Sequence, residues 1–165
     1  MTMHTELYQL ARETGEYLYQ AKHILATAES CTGGWIAEII TDVPGSSAWF
    51  DCGFVSYSNQ AKQRMLEVNR ETLECHGAVS AETALAMVDG VLSHSQATLA
   101  VAVTGIAGPG GGSEEKPVGT VFIAWKKREG LAYVVRKQFS GDRRQIRAQT
   151  VKTALEGLRS DILTT

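Results

Sequence analysis

A short segment of nearly unbroken apolar character, residues 98–104 (TLAVAVT), constrains the fold more than any other feature of this chain. A strand that is apolar on both faces must be covered on both faces, whereas a strand that borders water alternates apolar and polar residues. The segment is therefore predicted to lie in the middle of a sheet, with a layer of helices on each side. A chain of 165 residues, 44% of them hydrophobic, is long enough to bury such a core.

Helical and strand patterns alternate along the rest of the chain. Helical spacing of apolar residues is found over residues 6–21, 33–42, 80–94 and 142–158, and a further helix is predicted to begin at an Asn59 cap and to carry Lys62. Strand composition is found over residues 24–28, 52–58, 118–125 and 132–139, the last two forming a predicted hairpin. This alternation predicts an α/β fold, a single layered α/β/α domain over residues 1–165, with a mixed sheet and helices on both faces.

Charge, cysteine content and hydropathy argue against several classes of function. The formal charge is −2, so the chain lacks the basic field that nucleic-acid binding requires. Three cysteines without CxxC spacing indicate neither a disulfide framework nor a zinc site, and they favour a reducing, cytoplasmic compartment. The N-terminus lacks a signal-peptide pattern, and no apolar run approaches the roughly 20 residues of a membrane helix. We therefore expect a protein that is neither secreted nor membrane-spanning.

Three polar residues lie at or just beyond the ends of predicted strands: Ser30, Tyr57 and Thr104. Ligands of open α/β sheets gather at the carboxyl ends of the strands. We expect these three side chains to share one site.

Ser30 stands between a predicted strand and a predicted helix, so its hydroxyl can be exposed beside free backbone N–H groups. It is a candidate nucleophile, with the amides of Thr32, Gly33 and Gly34 as oxyanion donors. A simple helix cap is an equal alternative for Ser30, and Thr32 is a further cap candidate. Cys31 is a rival nucleophile, because a helix N-terminus lowers the pKa of a thiol. Glu29 either orients a substrate amide or holds the turn.

A serine nucleophile needs a base, and no histidine is placed to provide one. Lys62 is the candidate, provided that burial or a nearby cation keeps its amine neutral. The alternative is an ordinary solvated lysine on a helix face. Tyr57 either relays a proton and holds the lysine, or packs with its hydroxyl hydrogen-bonded. The histidines, each expected at the surface or at a helix end, are His4, His23, His76 and His94.

Residues 105–119 (GIAGPGGGSEEKPVG), hereafter the glycine loop, can bring backbone amides of Gly105 and Gly108 close to a ligand. The loop matches neither the ATP-binding GxxxxGK[ST] pattern nor a GxGxxG helix start, so no nucleotide cofactor is expected. Arg143, Arg144 and Arg147 cluster at the start of the last helix, where they form either a phosphate site or an exposed basic turn. No metal-binding spacing of carboxylates or histidines is present, and no catalytic metal is expected.

Six motifs occur in order along nearly the whole chain: TAESCTGG (27–34), PGSSAWF (44–50), GFVSYSNQAK (53–62), HGAVS (76–80), TGIAGPGGGSEEKPVGTV (104–121) and FSGDRRQIR (139–147). With these motifs the chain resembles the C-terminal domain of the CinA family in its stand-alone nicotinamide-nucleotide amidase form. The N-terminal molybdopterin-binding-like domain of longer members has no room in 165 residues.

The resemblance implies hydrolysis of nicotinamide mononucleotide to nicotinic acid mononucleotide and ammonia, a step of pyridine nucleotide salvage. It assigns Ser30 as nucleophile, Lys62 as base and Tyr57 as an assisting group. Contacts to this small-molecule pyridine nucleotide are expected from Glu29, Cys31, Thr104, Gly105, Gly108, Arg143 and Arg147. It also implies a homo-oligomer.

Two further functions stay open at this point. One is a non-catalytic nucleotide-binding or regulatory paralogue that retains the pocket, and the other is a competence-related partner protein.

Overall fold

The computed structural model describes residues 1–160; the last five residues of the predicted domain lie outside this part. The helices are α1 (Met3–Gln20), α2 (Trp35–Thr41), α3 (Asn59–Leu66), α4 (Arg70–His76), α5 (Ala81–Ser93) and α6 (Arg143–Gly157). The strands are β1 (Leu25–Glu29), β2 (Phe50–Val55), β3 (Leu99–Gly105), β4 (Thr120–Lys127) and β5 (Ala132–Gln138).

The five strands form one mixed sheet in the order β2-β1-β3-β4-β5. Strand β1 pairs in parallel with both β2 and β3, while β4 runs antiparallel to β3 and to β5. The apolar segment of residues 98–104 is thus the central strand, β3, and the predicted hairpin is β4–β5. Because β1, β2 and β3 are parallel, their carboxyl ends meet at one edge of the sheet.

Helices cover both faces of the sheet, as predicted. Side chains of α1, α2 and α6 pack with the larger residues of the central strand, Leu99, Val101 and Val103. Side chains of α5, with those around α3 and α4, pack on the opposite face, where β3 presents Ala100 and Ala102. Residues of a strand alternate between its two faces, so one seven-residue strand serves both cores. The prediction of a layered α/β/α fold is confirmed.

The structure differs from the sequence predictions around α3 and α4. Ser58, not Asn59, is the N-cap of α3, and its hydroxyl accepts a hydrogen bond from the Ala61 amide at 3.0 Å. Helix α4 was not predicted, because among its residues only Leu73 is buried and the helix shows no apolar stripe. Strand β2 begins at Phe50 and ends at Val55, earlier at both ends than predicted.

Candidate active site

The carboxyl ends of the three parallel strands surround a cavity of about 270 Å³. As expected, Ser30, Tyr57 and Thr104 all line it. The other lining residues are Cys31, Lys62, Ala78, Val79, Gly105, Ile106, Ala107, Gly108, Gly110, Gly111 and Arg143. The site is therefore built from loops that follow β1, β2 and β3, together with α3, the segment between α4 and α5, and the start of α6.

Lys62 and Ser30 form a direct contact at the base of this cavity. The Lys62 Nζ lies 2.9 Å from Ser30 Oγ, and the lysine is only 1% exposed. Burial lowers the pKa of Lys62 to about 8, since desolvation disfavours the ammonium form. Lys62 is thus not a solvated lysine on a helix face, and a sizeable fraction of it is neutral near physiological pH.

Two backbone carbonyls fix the direction of the Lys62 amine. Its Nζ donates to the carbonyl oxygens of Ser56, at 2.9 Å, and Tyr57, at 3.2 Å. A neutral amine has two N–H groups and one lone pair, and a carbonyl oxygen can only accept. With both N–H groups donated to carbonyls, the lone pair is left facing the Ser30 hydroxyl. This is the orientation that a general base requires.

The loop of residues 30–34, named here for its candidate nucleophile Ser30, is hereafter the nucleophile turn. Glu29 holds it from below: its carboxylate accepts hydrogen bonds from Thr32 Oγ1 at 2.6 Å and from the amides of Ile36, at 2.8 Å, and Ala37, at 3.0 Å. These amides belong to the first turn of α2, where a carboxylate satisfies donors that lack helical partners. Burial raises the pKa of Glu29, although these hydrogen bonds oppose the shift.

This arrangement corrects two expectations about the nucleophile turn. Glu29 is 1% exposed and does not line the cavity, so it holds the turn rather than contacting a substrate. Gly33 and Gly34 have φ values of +62° and +102°, which bend the chain into α2. The Gly33 amide donates to the Ser30 carbonyl at 3.0 Å, so it is not free for an oxyanion, and neither Thr32, which is fully buried, nor Gly34 lines the cavity. Within residues 1–160, the amides of Cys31 and Thr32 donate to no other residue.

Cys31 lines the cavity but is poorly suited to act as the nucleophile. The side chain is buried, and this burial raises the pKa of its thiol to about 12. A thiol attacks as the thiolate, which is scarce at such a pKa. Of the two candidates, Ser30 is the one that has a base beside it.

The opposite wall of the cavity is formed by Arg143, Tyr57 and the glycine loop. Arg143 donates to the carbonyl of Gly108 at 2.7 Å and to the Tyr57 hydroxyl at 3.1 Å. Tyr57 is 60% exposed, and its link to Lys62 runs through its backbone carbonyl rather than its hydroxyl. Thr104 donates its hydroxyl to the Ala78 carbonyl at 2.7 Å and so joins β3 to the segment between α4 and α5.

Arg147 does not line the cavity, contrary to the expected substrate contact. Its guanidinium turns under the nucleophile turn and donates to the carbonyls of Cys31, at 3.0 Å, and Thr32, at 2.9 Å. It also lies 5.4 Å from the centroid of the Trp35 ring, at the start of α2. Four residues along one helix thus separate a cavity-lining arginine from one that supports the nucleophile turn.

Sequence reasoning missed Ala78, Val79 and the Ser56 carbonyl as parts of the site. Ala78 and Val79 lie in the HGAVS motif, which was the available signal, but apolar side chains carry no chemistry of their own. The Ser56 carbonyl is a backbone group that no residue pattern reveals. The four histidines are absent from the cavity wall, as expected.

Residues 1–160 contain no cluster of three or more His, Cys, Asp or Glu side chains suited to a metal ion. Among the same residues, every helix is too short or too polar to cross a bilayer.

Comparison with known proteins shows which family and which relatives this chain is similar to. The sequence model of the CinA C-terminal domain matches residues 7–162. The nicotinamide-nucleotide amidohydrolase PncC of Escherichia coli K12 is 50% identical over 159 residues, 96% of this chain and 96% of the relative. The protein of the same name from Pseudomonas putida is 53% identical over 149 residues, 90% of this chain and 92% of the relative.

A solved structure shares the fold. The competence/damage inducible protein CihA from Agrobacterium tumefaciens superposes with a TM-score of 0.90 at 51% identity, over 92% of this chain and 93% of that one.

Proposed function

The chain belongs to the CinA C-terminal domain family, and we propose that it hydrolyses the carboxamide of nicotinamide mononucleotide with Ser30 as the nucleophile. The products are nicotinic acid mononucleotide and ammonia, as in pyridine nucleotide salvage. Relatives named nicotinamide-nucleotide amidohydrolase, about half identical over nearly the full chain, support the activity. The single observation that carries the mechanism is the buried contact of 2.9 Å between Lys62 Nζ and Ser30 Oγ.

The first half of the reaction forms an acyl-enzyme. Neutral Lys62 takes the hydroxyl proton while Ser30 Oγ bonds to the carboxamide carbon, giving a tetrahedral intermediate. Lys62 then delivers that proton to the amide nitrogen, the C–N bond breaks, and ammonia leaves. Because one amine accepts and returns the same proton, no second titratable group is required.

The second half of the reaction releases the acid. Neutral Lys62 takes a proton from a water molecule, which attacks the ester carbon, and the Ser30 oxygen leaves with the proton from Lys62. In both halves negative charge develops on the former amide oxygen. The Cys31 amide, which donates to no other described residue and belongs to a residue of the cavity wall, is the proposed oxyanion donor, in place of the Gly33 amide engaged within the turn.

Arg143 and the glycine loop are the proposed site of the nucleotide phosphate. Arg143 is exposed, but its hydrogen bonds to the Gly108 carbonyl and the Tyr57 hydroxyl hold its guanidinium at the cavity. A guanidinium suits a phosphate through paired N–H donors, and the amides of Gly110 and Gly111 line the same wall. Binding the phosphate away from the reacting carbon fixes the orientation of the carboxamide.

A non-catalytic nucleotide-binding or regulatory paralogue is the alternative function, and an assay separates it from the proposal. The assay measures ammonia released from nicotinamide mononucleotide and from its riboside, with hydroxylamine present in a parallel reaction. An acyl-enzyme intercepted by hydroxylamine yields the hydroxamate of the pyridine nucleotide. Ammonia and hydroxamate with preference for the nucleotide are the expected result. A protein that binds the nucleotide and releases no ammonia is the regulatory paralogue.

We also propose that the whole chain is one domain, acting in the cytoplasm as a homo-oligomer. The three cysteines are all free, which suits a reducing compartment. The homo-oligomer rests on the family resemblance, and light scattering of the purified protein measures the assembly directly.

A further inference from the structure

Two arginines of α6 lie one helical turn apart and have different surroundings. Arg143 faces the cavity, whereas Arg147 is half-buried behind the nucleophile turn and absent from the cavity wall. Both hydrogen bonds of Arg147 to the turn end on backbone carbonyls, those of Cys31 and Thr32. Neither contact depends on a bound ligand, so this guanidinium is part of the turn itself.

Planarity of the peptide bond gives these two contacts a directional consequence. In a trans peptide unit the N–H points opposite to the C=O. Holding the Cys31 carbonyl on the Arg147 side therefore directs the Thr32 amide away from Arg147. Holding the Thr32 carbonyl likewise directs the Gly33 amide, which donates to the Ser30 carbonyl at 3.0 Å. One guanidinium thus fixes two consecutive peptide units after the nucleophile.

The charge of Arg147 acts in the same direction as its geometry. Among the described residues no carboxylate forms an ion pair with Arg147. Its positive charge lowers the pKa of Cys31, although burial outweighs that effect. A cation that favours a thiolate beside Ser30 also favours negative charge on a substrate oxygen bound to the same turn.

We infer that Arg147 is a positioning residue for the amidase reaction: through the Thr32 carbonyl and the Gly33 amide it fixes the Ser30 carbonyl, and so directs the Cys31 amide at the oxyanion, and it does not bind the nucleotide. The inference rests on the proposed function, and it separates Arg147 from Arg143, which the sequence grouped together. An oxyanion donor stabilises the transition state more than the bound substrate. Loss of its positioning therefore lowers kcat and leaves KM nearly unchanged.

The test compares three variants in steady-state kinetics with nicotinamide mononucleotide. Arg147→Met is expected to lower kcat about 10²- to 10³-fold, the effect of losing an oxyanion donor, with KM within about twofold of wild type. The kcat of Arg147→Lys is expected to lie between those of the wild type and Arg147→Met, because a single ammonium cannot reproduce the paired donors of a guanidinium. The matched control is Arg159→Met, which removes an arginine paired with Glu13 and is expected to retain wild-type kcat.

The outcomes separate this inference from the proposed function. A wild type that releases no ammonia overturns the proposed function itself. An active wild type whose Arg147→Met variant raises KM and keeps kcat shows a nucleotide contact, and unchanged kcat and KM show no role; both overturn the inference. Thermal unfolding of each variant monitors the fold. If Arg147→Met does not fold, the kinetics of Arg147→Lys test the inference in its place: a lower kcat with an unchanged KM supports it, and a higher KM with an unchanged kcat overturns it.

Discussion

The nucleophile turn and the glycine loop both follow parallel strands of one sheet, yet they are built in opposite ways. Ser30, Cys31 and Thr32 are buried, and the turn is held by Glu29 from one side and Arg147 from the other. Residues 109–115 of the glycine loop are exposed. The loop is held by a few hydrogen bonds to its carbonyls, from Arg143 to Gly108 and from Arg136 and Gln138 of β5 to Glu115 and Val118, and by the bond from Lys116 to the His76 carbonyl.

The difference follows from what each region has to do. Attack on a carboxamide needs reacting atoms held within a few tenths of an ångström, which only a packed and hydrogen-bonded turn provides. A phosphate is bound by several donors that can adjust to it, so an exposed loop suffices. We therefore expect changes at Ser30, Lys62 and Arg147 to lower kcat, and changes at Arg143 and the glycine loop to raise KM.

Ser30→Ala is the most severe test of this contrast. We expect kcat for ammonia release to fall by at least about 10⁴-fold, because no acyl-enzyme can form without the hydroxyl. Binding of the nucleotide, measured by calorimetry, is expected to persist, since Arg143 and the glycine loop are unchanged. Cys31→Ala is the matched control and should retain activity; loss of activity in folded Cys31→Ala with an active Ser30→Ala would reverse the assignment.

Lys62→Met is expected to lower kcat by about 10²- to 10⁴-fold, the usual contribution of a general base. Methionine preserves the apolar stem, so the buried site stays filled.

The wild type should also show a pH dependence of kcat/KM that the Lys62→Met variant lacks. Because the base is the neutral amine and its pKa is about 8, wild-type kcat/KM should rise with pH and level off above that value. A rising limb that survives in Lys62→Met belongs to another group.

Arg143→Ala tests the part of the cavity that is proposed to bind the nucleotide phosphate. We expect KM for nicotinamide mononucleotide to rise about 10- to 100-fold, the value of a hydrogen bond to a charged group, with a smaller effect on kcat. The riboside lacks the phosphate, so its kcat/KM should change little in the same variant. An equal loss for both substrates would show that Arg143 supports the loop rather than binding phosphate.

Sequence reasoning recovered the fold better than the details of the site. The apolar strand, the predicted hairpin and the last helix each follow from local patterns, and the structure confirms them. The pairing of Ser30 with Lys62 followed from the family resemblance and from the order of the two residues along the chain, neither of which gives a distance. Arg147 was misplaced because neighbouring arginines of one helix look alike in sequence, and helical phase alone decides which of them faces the cavity.

Lys116→Met gives the smallest expected effect and tests the flexible side of the contrast. Lys116 Nζ donates to the His76 carbonyl at 3.0 Å and so ties the glycine loop to the segment that carries Ala78 and Val79. One hydrogen bond of about 0.5–1.5 kcal/mol corresponds to a rise in KM of about 2- to 10-fold, with kcat unchanged. Lys126→Met, which removes a lysine paired with Asp89 outside the cavity wall, is the control and should leave KM unaltered. A fall in kcat for Lys116→Met would mean that the glycine loop takes part in positioning the reacting atoms. The proposed difference in function between the nucleophile turn and the glycine loop would then be wrong.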